Sequence, residues 1–185
     1  MQSYLGQPQA TEAVLKDGWL DTGDLGFLMG GELFLAGREK DVIIIRGRNH
    51  SPHEVEDAVN GLENVRTGCA VAVSYLPEGE DGERLLVLVE KRRGVDTKLH
   101  GSIARACADA IRVATGLSPH QVEVLEPGTL PRTSSGKLRR QETLKRWLEG
   151  TLKPPDDVTA LKLAKAVARS LWVTTKTRRE HWHDG

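Results

Sequence analysis

Gly37-Arg38-Glu39-Lys40-Asp41-Val42-Ile43-Ile44-Ile45-Arg46-Gly47-Arg48-Asn49-His50-Ser51-Pro52 sets a β-branched run between two glycine turns, and each turn carries cations. Branched side chains fit a pleated, buried surface, so Val42–Ile45 predicts a buried strand. Ser51-Pro52 then opens a helix, with Ser51 at the N-cap and Pro52 at the first helical position. Glu54, three residues after Ser51, completes a capping-box pattern. Val55, Ala58 and Val59 supply the inner face of this helix, and Gly61 ends it.

Upstream, Thr11–Val14 has helical character before a turn at Asp17-Gly18. Phe27–Met29 and Leu33–Leu35 flank Gly30-Gly31, a two-residue hairpin signal. Downstream, Cys69–Val73 and Leu85–Val89 read as strands joined by a polar, turn-rich loop. Residues 97–115 have helical spacing, with Ile103, Ala106, Ala110, Ile111 and Ala114 on the inner face and Gly116 as the stop. Val122–Leu125 is a short alternating strand, followed by a loop over 126–136 and a helix over about 138–149. The order predicts an α+β fold: a small mixed β-sheet with packed helices, preceded by a β-hairpin. Lys153-Pro154-Pro155-Asp156-Asp157 marks a linker, and 158–175 reads as a separate amphipathic helix. The organisation expected is 1–36 as a linker and hairpin, 37–150 as the main unit, and 151–185 as a linker with an extra helix.

A chain of 185 residues is long enough for one domain with a core of its own. Aromatics are only 4%, so that core rests on Val, Ile, Leu and Ala. Lys+Arg and Asp+Glu both total 26, which argues against a general nucleic-acid binder. Cys69 and Cys107 lie in apolar patterns and read as small buried hydrophobes of a reducing compartment. Apolar runs are all shorter than the roughly 18 residues a membrane span needs, and the N-terminal residues lack the order of a signal peptide. A cytoplasmic location is expected. His181, His183 and Asp184 stand without further ligands nearby in sequence, so no metal site is expected.

Three segments carry chemistry. In Asp21-Thr22-Gly23-Asp24, Asp24 follows a glycine and offers an accessible carboxylate, able to accept hydrogen bonds from vicinal hydroxyls; an ordinary turn before a hairpin has the same composition. Arg38 could fork onto hydroxyl or phosphate oxygens, or simply occupy a solvated turn. Leu130-Pro131-Arg132-Thr133-Ser134-Ser135-Gly136-Lys137-Leu138-Arg139-Arg140 presents a lysine on a flexible loop of small residues, able to swing onto an anion. It is not a P-loop: Gly128 is too distant, and Leu138 stands where a magnesium-binding Ser or Thr belongs.

Taken together, the order Asp21-Thr22-Gly23-Asp24, Gly37-Arg38-Glu39-Lys40-Asp41, Arg46-Gly47-Arg48-Asn49 and Leu130-Pro131-Arg132-Thr133 to Gly136-Lys137 resembles the C-terminal motifs of the adenylate-forming superfamily. That group includes acyl-CoA synthetases, peptide-synthetase adenylation domains and firefly luciferase. The run from Asp41 to His50 is most similar to fatty acyl-AMP ligases. The resemblance covers about residues 3–150.

It implies ATP-dependent activation of a fatty acid to acyl-AMP, followed by transfer to the pantetheine thiol of an acyl carrier protein, or to CoA in a long-chain acyl-CoA ligase. Lys137 would be the catalytic residue, Asp24 and Arg38 would bind ATP or AMP, and Lys40 would be the hinge. Gly47, Arg48, Asn49 and His50 would line the pantetheine path. Magnesium would be held mainly by a large N-terminal adenylation domain. Neither that domain's pyrophosphate loop nor its acyl pocket has a counterpart here, so this chain alone is expected to be inactive. The basic residues Arg132, Arg139 and Arg140 are expected to steer an acidic carrier protein. The alternative is a non-enzymatic docking module that contacts its partner through the helix over 156–175.

Overall fold

Two long strands, Val65–Tyr75 and Arg84–Lys91, form the centre of the fold, and nearly every residue of the second is buried because helices cover both faces of their sheet. The computed structural model describes residues 2–154. The predicted 158–175 helix and the His181, His183 and Asp184 group lie outside the described residues. In chain order, α1 (Pro8–Val14) precedes β1 (Leu15–Lys16), which pairs with β2 (Trp19–Leu20). β3 (Asp24–Met29) and β4 (Glu32–Arg38) form the predicted hairpin, with Gly30 and Gly31 both at positive φ as a two-residue turn requires. The boundary expected after residue 36 therefore falls inside β4. A 3-10 turn, Glu39–Asp41, leads to β5 (Ile43–Ile45) and β6 (Arg48–His50). Then follow α2 (Pro52–Val59), β7 (Val65–Tyr75), β8 (Arg84–Lys91), α3 (His100–Thr115), β9 (Gln121–Leu125) and α4 (Arg140–Leu148).

The main sheet has the order β7-β8-β9, antiparallel between β7 and β8 and parallel between β8 and β9. α3 makes the crossover that a parallel pair requires. Alternation assigns each side chain to a layer. Ala70, Ala72, Leu85, Val87, Val89 and Val124 face α2 and α3, where they meet Val55, Val59, Ile103, Cys107 and Ile111. Cys69, Val71, Val73, Leu86 and Leu88 face the other way, onto Leu130, Leu138, Leu144 and Trp147. The mixed sheet with packed helices is thus present, with a helical layer on each face.

Several local expectations change. The Val42–Ile45 run does not enter the main sheet. β5 pairs only with β6, and while Ile43 is buried, Ile44 is 46% exposed. Ser51 caps α2 by position, but its hydroxyl makes no cap hydrogen bond, and the buried face is Pro52, Val55, Glu56 and Val59. In α3 the buried stripe is Ile103, Cys107 and Ile111, one residue per turn, and Ala106 and Ala114 are exposed. Larger side chains reach the sheet better than alanine, so the stripe rotates toward them. Residues 97–99 form a separate 3-10 turn. α4 starts at Arg140 because Leu138 is still bridged to Arg132.

Both cysteines are buried and free. Burial pushes the Cys107 thiol up to about 11. Ile111→Ala is expected to lower stability by about 2–5 kcal/mol in urea unfolding, whereas Ala106→Ser, on the exposed side of α3, changes it by about 0.5 kcal/mol or less.

Candidate active site

Thr133 closes the lysine loop on itself. Its N–H donates to the Lys137 carbonyl at 2.8 Å, its carbonyl accepts from the Gly136 N–H at 2.9 Å, and its Oγ1 accepts from the Lys137 N–H at 3.0 Å. Gly136 sits at φ 85°, a left-handed turn that a side chain would strain. Arg132 lies across the base of the loop. It donates to the Gly136 carbonyl at 2.7 Å and to the Gly68 carbonyl at 3.0 Å, with Cys69 Sγ also 3.0 Å from its Nη2. The flexible loop expected from composition is therefore a laced turn. Lys137 is exposed, and among the described residues its ammonium makes no ion pair.

Two carboxylates that sequence reading missed suspend the loop at its ends. Glu90, fully buried at the end of the stripe Leu86, Leu88, Glu90, accepts from the Leu130 N–H at 2.9 Å and from Arg66 at 2.7 Å. Glu56 receives two bonds from Arg140, both 2.7 Å, and also accepts from the Ala72 N–H at 3.1 Å. Ala72 lies on the edge strand β7, so Glu56 satisfies a backbone donor that has no neighbouring strand. The third contact of Arg140 is Asp41 Oδ2 at 3.1 Å. The hydrogen bonds to Glu56, then the charges of Glu56 and Asp41, hold the Arg140 pKa above its ordinary value against the opposing effect of burial. Both carboxylates had a signal in the sequence: each is an acid at a position whose spacing assigns it to an apolar face.

Asp24 and Arg38, the first and last residues of the β3–β4 hairpin, face each other at its open end, with Arg38 Nε 2.9 Å from Asp24 Oδ1. An open cleft of about 1230 Å³ is lined by Asp24, Arg38, Arg132, Lys137, Arg139 and Arg140. The residues expected to handle the nucleotide and the reaction, Asp24, Arg38 and Lys137, thus share one cavity with the three arginines expected to steer a carrier. Gly47, Arg48, Asn49 and His50 are not part of its lining: Arg48–His50 form β6, paired only with β5. Lys40 lies in the 3-10 turn between the hairpin and β5. Of the three arginines expected to steer a carrier, Arg140 is taken up by Glu56 and Asp41 and Arg132 by the loop it braces. Arg139 remains exposed, and its side chain has no hydrogen bond or ion pair among the described residues. The cleft also carries carboxylates, of which Asp41 and Glu56 are held by Arg140 and Glu142 by Arg146; with Asp24 as an acceptor beside Arg38, Lys137 and Arg139, the set can take a hydroxylated anion such as a nucleotide.

No family model matches the chain. Over 136 residues it is 40% identical to the medium-chain-fatty-acid–[acyl-carrier-protein] ligase JamA of Moorena producens, an alignment covering 72% of this chain and 23% of that protein. It is 37% identical to the long-chain-fatty-acid–AMP ligase FadD26 of Mycobacterium marinum, covering 70% of this chain and 22% of the relative. Among solved structures, McyG A-PCP complexed with phenylalanyl-adenylate superposes with a TM-score of 0.75 at 30% identity, covering 80% of this chain and 27% of that one. Fatty acyl-adenylate ligases from E. coli and L. pneumophila give a TM-score of 0.65 at 34% identity, covering 81% of this chain and 26% of that one. The chain belongs to the adenylate-forming superfamily and matches its C-terminal part. Within that superfamily its curated relatives are acyl-CoA and fatty-acid–AMP ligases, and the chain spans about a quarter of their length.

Glu56→Ala takes two charged bonds from Arg140, leaving it Asp41, and strips the Ala72 N–H of its acceptor. It is expected to cost about 1–3 kcal/mol in urea unfolding, above the cost of deleting an exposed pair such as Arg112–Asp109, about 0–1 kcal/mol.

Proposed function

We propose that this chain is the C-terminal part of an ATP-dependent fatty acyl-AMP ligase, and that Lys137 is the residue through which it takes part in chemistry. The observation that carries the reading is the free Lys137 ammonium on the same cleft as the Asp24–Arg38 pair. The fatty-acid carboxylate attacks the α-phosphate of ATP, a new C–O–P linkage forms, and pyrophosphate leaves with the electron pair of the broken P–O bond. Negative charge on the phosphoryl oxygens is then met by Lys137. Its backbone is already fixed by the Thr133 turn, so little reorganisation accompanies the reaction. Asp24 Oδ1 is engaged by Arg38, and Oδ2 is left to accept from ribose hydroxyls. Arg38 adds a cation beside the phosphates.

The rest of the nucleotide site, the acyl pocket and any magnesium ligands belong to a large N-terminal domain. The β3–β4 hairpin supports that assignment. It is apolar on both faces, with Leu28 and Leu35 each 74% exposed and Phe27 stacked on Phe34. A lone two-stranded hairpin is marginal in water, and an apolar surface of this kind calls for a partner. The part up to about Arg38 therefore associates with the large domain, and Lys40 is the hinge. Transfer to a carrier-protein pantetheine follows a rotation that brings Gly47–His50 to the thiol path. The carrier acceptor is supported by the carrier-protein ligase among the relatives, and Arg139 is the arginine of the three left free to steer it.

Fatty-acid-dependent ATP–pyrophosphate exchange tests this reading. The chain alone is expected to show none, the chain joined to a large adenylation domain to show exchange, and Lys137→Ala to lower it by about 10²–10³-fold. Undiminished exchange in that variant would remove Lys137 from the chemistry. In a second test, Leu28→Asp should prevent a separately supplied large domain from restoring activity while moving the stability of the chain by only about 0.5 kcal/mol.

A further inference from the structure

Lys40 sits between two anchors that hold opposite sides of it. Upstream, the Glu39 N–H donates to the Gly23 carbonyl at 2.9 Å, which binds the peptide entering Glu39 to the base of the β3–β4 hairpin. Downstream, Gln141 Nε2 donates to the Lys40 carbonyl at 2.7 Å. The carbonyl of Lys40 and the N–H of Asp41 share one rigid peptide plane, so Gln141 fixes that whole plane to α4. Arg140 reinforces the grip through Asp41 Oδ2 at 3.1 Å and is itself held by Glu56. α4 is seated on the sheet through Leu144, Trp147 and the buried Thr143. Between the two fixed planes lie only the torsions of Glu39 and Lys40. The backbone bond that crosses them, from the Val42 N–H to the Glu39 carbonyl, is long at 3.4 Å.

We infer that Gln141, with Arg140, is a positioning residue: it clamps the Lys40–Asp41 peptide to the body that carries Lys137, so that rotation at Glu39–Lys40 moves Lys137 without slack. The sequence separation makes this direct, since Gln141 lies four residues after Lys137 and within the first turn of α4. The carbonyl held is that of the hinge residue itself, so turning the Lys40 torsions leaves the Gln141 bond intact and swings the clamped body as one piece. Without the clamp the hinge lengthens into the residues after Lys40, and the arc delivered to Lys137 is no longer unique. A displacement of about 1 Å at a reacting group suffices for a rate loss on the order of 100-fold. This inference rests on the ligase reading for its kinetic consequence, but not for the clamp.

The experiment has two arms and two variants, Gln141→Glu and Gln141→Met, which keep side-chain length and remove the donor. In the first arm the full chain is digested briefly with trypsin, and the cut bonds are identified by mass spectrometry. Cleavage after Lys40 is expected to accelerate about tenfold in both variants, as opening of one hydrogen bond predicts. Cleavage after the exposed Lys16 and Lys98 should stay at the wild-type rate. An unchanged rate after Lys40 overturns the clamp whatever the function. In the second arm the variants are joined to a large adenylation domain. The kcat of acyl-AMP formation is expected to fall about 10–100-fold, with the KM for ATP within about twofold of wild type. Wild-type kcat together with faster cleavage after Lys40 overturns the positioning role and leaves the clamp standing. A joined wild-type enzyme with no exchange defeats the ligase reading and the positioning role with it, while the proteolysis arm still decides the clamp.

Discussion

The guanidinium of Arg140 holds together three parts of the molecule that are far apart in sequence. Its partners are Glu56 on α2 and Asp41 in the 3-10 turn after the hairpin, and it stands at the start of the helix that follows the lysine loop. A buried ion pair of this kind adds little net stability compared with an apolar replacement, because desolvation of both charges offsets their attraction. What it supplies is geometry. A planar fork with both Glu56 oxygens in reach allows one arrangement of α2 against α4, and the Asp41 bond extends that arrangement to the turn where the hairpin ends.

The lysine loop shows the same division between a fixed backbone and a free side chain. Thr133, Gly136 and Arg132 remove the backbone freedom, while the buried Glu90 pins the point where the loop leaves the sheet layer. Four methylenes and an ammonium remain mobile. A charge stabiliser in a phosphoryl-transfer site works best when its dipoles and charges are set before the reaction. A laced turn carrying one long cationic side chain meets that need in the proposed reaction.

The hairpin stands apart from the buried core. Its two strands pair well with each other, yet most of its large apolar side chains face solvent. Gly26 is the exception to an otherwise bulky strand. A Cβ there would lie 2.8 Å from the Phe34 carbonyl, so the register shift between Leu25 and Gly26 depends on glycine. The hairpin also holds Asp24 and Arg38. The cleft is therefore lined both by the packed core unit and by a hairpin whose large apolar side chains are exposed.

Much of this was legible in the chain. The glycine pair at Gly30-Gly31 fixed the hairpin, since few residues tolerate positive φ twice in succession, and the apolar runs located β7, β8 and β9 because strands covered on both faces are nearly continuously apolar. The motifs around Asp24, Arg38 and Lys137 named residues that the fold then brings to one cleft. Sequence could not show which cations are free, because that depends on partners 84 and 99 residues away, as for Arg140 with Glu56 and Asp41. Nor could it show that Val42–Ile45 forms a small two-stranded piece of its own: a β-branched run records the wish for burial but not the strand that supplies it. Local physics decided the elements and the candidate chemistry. Only the packed structure decided that Arg140 and Gln141 bind the Lys40–Asp41 turn, because hydrogen-bond partners are chosen by position in space after the sheet and its helices have closed around them.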